Sequence, residues 1–257
     1  MMEGYILETC VDSVESAMAA ERGGANRLEL CGNLIIGGTT PSPALYEEVR
    51  RHCGLRIHAL IRPRFGDFCY TEHEFRIIRG EVKLFRELGA DGVVIGCLRP
   101  DGTLNLEQMK ALMEEAGNMS VTLHRAFDVC SDPYKTLEEA VDLGIDTILT
   151  SGQENGCLAG QKLLTELAEQ ADGRIDILIG SGVDASAIRE LYPKVKTHSY
   201  HMSGKVTLGS EMEYRKEGVN MGLPSLSEFE IWRTSEEKIR EAAEALQGFQ
   251  KMQDGRK

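Results

Sequence analysis

Apolar residues along the chain fall into short continuous runs, each followed by a longer stretch in which apolar positions recur every three or four residues. The short runs have the length of buried strands, and the longer stretches have the period of amphipathic helices. Strands are therefore expected at 5–10 (YILETC), 26–31 (NRLELC), 55–61, 92–95, from Val121, at 147–150, 174–179 and 195–201. Helices are expected between them: from Asp12 or Ser13 as N-cap to Arg22-Gly23-Gly24, from Pro41-Ser42-Pro43 to about 52, and at 72–88, 106–116, 133–143, 158–171 and 184–191. Glycines at 23–24, 89 and 144 stop three of them. Residues 204–233 read as irregular, a helix over 235–246 closes the chain, and a polar tail begins at about 248.

Strands that alternate with helices at a spacing of about 20 to 36 residues pair in parallel, because an antiparallel hairpin needs no such crossover. Eight of them close into a barrel, and 257 residues match the size of a single (β/α)8 TIM barrel. No GxGxxG follows the first strand, which disfavours an open dinucleotide-binding sheet. The expected organisation is one α/β domain over 1–257.

In such a barrel the loops after the strands share one rim, where chemistry is kept. Strand one ends Glu8-Thr9-Cys10 and strand two ends Glu29-Leu30-Cys31. The shared Glu-x-Cys spacing puts each pair on one face, and neighbouring strands about 4.8 Å apart would bring the two sulfurs near one another. Strand three ends Arg62-Pro63-Arg64. Strand five carries His124 and Arg125 with Asp128 just beyond, strand six ends Thr150-Ser151, and strand eight offers His198, His201 and Ser203. So many ionisable groups in one lumen are costly unless they pair or bind something. The Gly180-Ser181-Gly182 turn, leading into a helix at Asp184, and the Ser203-Gly204-Lys205 loop form a candidate anion site with Ser151 and His201.

Composition narrows the partners. A net charge of −12 argues against nucleic acid and anionic membrane surfaces. There is no run of 18 apolar residues and no basic leader, so a cytoplasmic location is expected. Seven cysteines without a CxxC point to a reduced chain. Cys53, Cys69, Cys130 and Cys157 fall on helices or loops and read as inert, whereas Cys97 falls near a rim without an evident partner.

Read together, the rim segments resemble the CutC family of copper homeostasis proteins. The segments are Glu8-Thr9-Cys10-Val11-Asp12-Ser13, Arg27-Leu28-Glu29-Leu30-Cys31, Gly37-Gly38-Thr39-Thr40-Pro41-Ser42, Ile61-Arg62-Pro63-Arg64 and Gly66-Asp67-Phe68. They continue with Gly89-Ala90-Asp91-Gly92, Thr122 to Asp128, Leu149-Thr150-Ser151-Gly152 and His201-Met202-Ser203. The resemblance implies a TIM barrel, a cytoplasmic location, a dimeric or tetrameric homo-oligomer and Cu(I) bound through Cys10 and Cys31. Two departures are Ser181, where the family commonly has a third glycine, and Gly204-Lys205, where many members have Ala-Arg.

Two functions compete on these residues. One is Cu(I) binding by the two thiolates, with Glu8, Glu29 or His201 as outer partners, since soft sulfur selects Cu(I). The other is an enzyme acting on a small carboxylated or phosphorylated metabolite. Arg62 and Arg64 would hold the anion, Glu29 or His124 would move a proton, and Arg125 and Asp128 would complete the site.

Overall fold

A computed structural model describes residues 4–254 except 217, 220, 224 and 225. Eight parallel strands close into one barrel in chain order: β1 Ile6–Val11, β2 Arg27–Leu30, β3 Arg56–Leu60, β4 Gly92–Ile95, β5 Ser120–Leu123, β6 Thr147–Thr150, β7 Asp176–Ile179 and β8 Ser199–Met202. Between them run α1 Val14–Gly23, α2 Pro43–His52, α3 Glu72–Glu87, α4 Leu106–Ala116, α5 Pro133–Asp142, α6 Gln161–Ala171 and α7 Ala185–Leu191. The chain ends with the strands β9 Lys205–Gly209 and β10 Glu230–Thr234 and the helix α8 Glu236–Asp254.

Local chemistry sets the helix starts. Ser13 caps α1 by accepting from Ser16 N, Ser42 caps α2 ahead of Pro43, and Thr71 with Glu74 forms a capping box on α3. The main apolar core lies between the outer faces of the strands and the helices. Inside the barrel the register puts Cys10 beside Glu29, Glu29 beside His58, His58 beside Gly92, and Glu8 beside His201. The lumen is therefore lined by polar groups, with a small apolar patch of Cys10, Cys31, Leu60 and Val94. Two glycines make room for rings in it. A Cβ on Gly92 would come within 2.7 Å of the His58 imidazole, and one on Gly96 within 2.6 Å of His124 Cε1.

The C-terminal part departs from expectation. Residues 204–233 hold an antiparallel hairpin, β9 with β10, in the register Lys205↔Thr234 to Gly209↔Glu230. Four of the five β9 residues are exposed, so the pair has little buried face to mark it in the sequence. The closing helix runs to Asp254, past the expected start of the polar tail, and 255–257 lie outside the described residues. β8 begins at Ser199, so His198 precedes it and stacks on Tyr192 at 4.7 Å, not on the rim. Among the described residues no helix is long and apolar enough to cross a membrane.

Candidate metal centre and cavity

The floor of the site is built where β8 meets β1 and β2. Arg27 and Glu29 are two apart on β2 and so face the same way. Arg27 Nε donates to Glu8 Oε2 at 2.5 Å, with both side chains buried. The other oxygen of Glu8 lies 2.8 Å from His201 Nδ1, and His201 Nε2 lies 3.4 Å from Glu29 Oε2. One ligand atom each from Cys10, Glu29 and His201 lies within 4.8 Å of the others.

These groups set one another's protonation. Burial alone would raise the Glu8 carboxyl, but Arg27 and the His201 hydrogen bond outweigh it and hold Glu8 well below the usual carboxylate range. Glu29 is met more loosely, with His201 at 3.4 Å, and the opposing pull of that imidazole does not offset burial. Burial, reinforced by the nearby charge of Glu8, pushes it up to about 7. Burial would lower His201, yet Cys10, Glu8 and Glu29 around it hold the imidazole well above its ordinary value. Cys31 is buried next to Glu29 and Cys10, which drives its thiol well above the usual range, and its sulfur sits 3.5 Å from the Val11 carbonyl oxygen.

The wall comes from the ends of β3 and β5. Arg62 donates through Nη1 to the carbonyls of Gly37 and Gly38 at 3.2 and 3.1 Å, and through Nη2 to Gly66 O at 2.8 Å. Its guanidinium carbon lies 5.0 Å from the centre of the Phe68 ring. His124 packs on the same ring at 4.7 Å, and its Nδ1 accepts from Ala126 N at 3.2 Å. Burial and the nearby Arg62 charge push His124 down to about 3, so the ring is neutral near pH 7 with its proton on Nε2.

Beyond the wall, Asp128 organises the β6 loop. Its carboxylate accepts from Thr150 Oγ1, Ser151 N and Arg125 Nε at 2.5, 3.0 and 2.7 Å. Arg125 also reaches Ser151 Oγ at 3.0 Å. Ser181 and Gly182 lie opposite; Ser181 adopts φ 68°, a left-handed conformation that glycine accepts without strain. The Asp184 carboxylate caps α7 through Ala187 N at 2.8 Å, taking up a free amide at that helix start. The hairpin closes the mouth, with Lys205 Nζ 3.4 Å from the centre of the Trp232 ring. These parts enclose a cavity of about 650 Å³.

Comparison with known proteins places the chain. The CutC family model matches residues 5–206. A CutC family protein from Bacteroides fragilis (strain YCH46) is 43% identical over 249 residues, covering 95% of this chain and 98% of that one. The chain belongs to the CutC family. A human relative, named copper homeostasis protein cutC homolog, is 40% identical over 92% of this chain and 87% of its own. A crystal structure of CutC from Streptococcus agalactiae superposes with a TM-score of 0.74 at 30% identity, covering 77% of this chain and 98% of that one. The family match stops at 206, so most of β9, all of β10 and α8 lie beyond it.

Of the residues singled out in the sequence, the fold gathers Cys10, Cys31, Glu29, Arg62, His124, Arg125, Asp128, Ser181, Gly182, His201 and Ser203 around this cavity, the CutC rim. Arg64 stands apart from that lining. Its guanidinium is taken by Glu74, Asp67 and the carbonyls of Phe65, Asp67 and Cys69, and it braces the loop after β3. Ser151 is fully buried beneath the cavity and serves Asp128, and Gly180 gives its space to Leu149. Cys97 is buried in the main core, with its thiol pushed up to about 12 by burial. Sequence reasoning missed Arg27, although its period-two placement with Glu29 marks it as lumenal. It also missed Phe68 and the stacking on Trp232 of Lys205, which the sequence placed only in the candidate anion loop.

Proposed function

We propose that this CutC protein binds Cu(I) at the lumen floor, through Cys10 Sγ and His201 Nε2, with Glu29 and Cys31 flanking the ion. The observation that carries the reading is the Glu8–His201 contact at 2.8 Å. A carboxylate held on Nδ1 fixes the tautomer that leaves Nε2 free to ligate, an arrangement typical of metal-bound histidines. Arg27 in turn fixes Glu8. The donor set of thiol, imidazole and carboxylate suits a transition ion, and sulfur biases it toward Cu(I). This reading differs from a two-thiolate site, because His201 takes the place of Cys31 as principal partner of Cys10. Without metal the position is held by protons, so loading displaces them.

Cu(I) titration against a competing chelator tests the proposal. Cys10→Ser and His201→Gln each weaken binding at least tenfold, while Cys31→Ser has a smaller effect. Equal affinity in Cys10→Ser and the parent would remove the site from these residues.

A second reading is favoured by Glu29. A buried carboxyl near 7 facing a cavity of about 650 Å³ is suited to taking and returning a proton on a bound metabolite. An ion alone needs no cavity of that size.

A further inference from the structure

We propose that the wall of the cavity is a binding site for the carboxylate of a small organic acid, received by Arg62 Nε–H and His124 Nε2–H. The proposal deepens the second reading by naming the class of ligand and the residues that hold it, and it is independent of copper.

Arg62 is a buried cation, 9% exposed, and among the described residues it forms no ion pair. Its bonded N–H groups all point to backbone carbonyls that carry no charge. Its Nε is buried without any partner. Beside it, His124 is 4% exposed, and its ring commits Nδ1 to Ala126 N. The proton must then sit on Nε2, which is also buried without a partner. Both residues line the cavity, and both pack on the Phe68 ring.

A buried donor left unpaired is costly, and an uncompensated buried charge more so. Two such donors on one wall, one of them cationic, are satisfied together by a group that has two acceptor atoms and a negative charge. A carboxylate has both. Two N–H donors match the two oxygens of a monocarboxylate, whereas a phosphate brings further oxygens that these two donors leave unmet. The glycine at 96 supports the same geometry, because a Cβ there would displace the His124 ring at Cε1.

The test is an NMR titration of the full-length, chelator-treated, 15N-labelled protein with acetate, lactate and inorganic phosphate. It follows the Arg62 Nε–H and His124 Nε2–H resonances, assigned with Arg62→Lys and His124→Phe. Both resonances shift saturably with acetate or lactate, and each variant binds at least tenfold more weakly. The proposal is overturned if neither resonance responds to a carboxylate, if phosphate alone binds, or if His124→Phe binds lactate as well as the parent. The protein is metal-free throughout, so failure here leaves the copper site standing. If the shifts appear but acid–base turnover is never found, the second reading fails and the carboxylate site stands.

Discussion

Glu8 stands between two partners, with Arg27 at 2.5 Å on one oxygen and His201 at 2.8 Å on the other. The carboxylate thus ties the structural charge of the lumen to the imidazole that would meet the ion. Glu8→Gln leaves the buried Arg27 uncompensated and is expected to destabilise the fold by about 3–5 kcal/mol. The Glu8→Gln/Arg27→Gln pair recovers part of that loss in denaturant unfolding. Both variants weaken Cu(I) binding about 10–100-fold, because His201 loses its orienting partner.

Acid should destabilise the protein from near neutrality. His58 and His124 are buried and neutral, each pushed down to about 3 by burial and by a neighbouring arginine. A histidine lowered in the folded state gives stability that is complete above its unfolded value near 6.5 and is lost as pH falls toward 3. Glu29 acts in the opposite sense, since a carboxyl raised to about 7 takes up a proton in the folded state between 7 and 4.5. His201, raised in the fold, contributes in full below its unfolded value near 6.5, so it loses nothing as pH falls through that window. Two histidines outweigh one carboxyl, and the net loss by pH 4.5 is on the order of 2 kcal/mol. Denaturant unfolding at pH 7, 5.5 and 4.5 measures it, and Glu29→Gln should steepen the fall.

The barrel was legible because apolar runs alternate with helical periodicity and glycines end the helices. Rim chemistry was legible for the same reason, since strand ends are easy to locate once strands are. The Glu8–His201 pairing was not, because it joins residues 193 positions apart across the closure of the barrel. Strand register decides that contact, and no local pattern encodes it. Arg64 and Arg62 look alike in sequence as well. Only the surrounding carboxylates distinguish them: Asp67 and Glu74 neutralise one, and among the described residues no ion pair meets the other. The hairpin escaped because its strands pair mainly with each other and bury little.

The lower lumen should be wet. Arg27 Nη2, both nitrogens of His58, Thr122 Oγ1 and Asp176 Oδ2 are buried without protein partners. Polar groups so placed bind ordered water, each molecule making about three hydrogen bonds. A crystal structure at a resolution that resolves solvent should show waters bridging these atoms beneath Glu8. A dry lumen there would contradict the expectation.

Gly92→Ala should cost about 1–3 kcal/mol through overpacking. Its Cβ would come within 2.7 Å of both the His58 ring and the Ser120 carbonyl oxygen, and the latter is backbone that cannot turn aside. Gly80 is the internal control, because a Cβ there would meet nothing within 4 Å. Gly80→Ala therefore leaves thermal stability unchanged or raised. Thermal melts of the two variants make the comparison.

The most direct test of the copper site is an anomalous difference map at the copper edge, from crystals loaded with Cu(I) under reducing conditions. The expected result is one dominant peak at the lumen floor, within about 2.0–2.3 Å of Cys10 Sγ and His201 Nε2, by the usual lengths of metal–sulfur and metal–nitrogen bonds. A peak confined to the half-exposed Cys69 or to surface methionines, with none between Cys10 and His201, would contradict it.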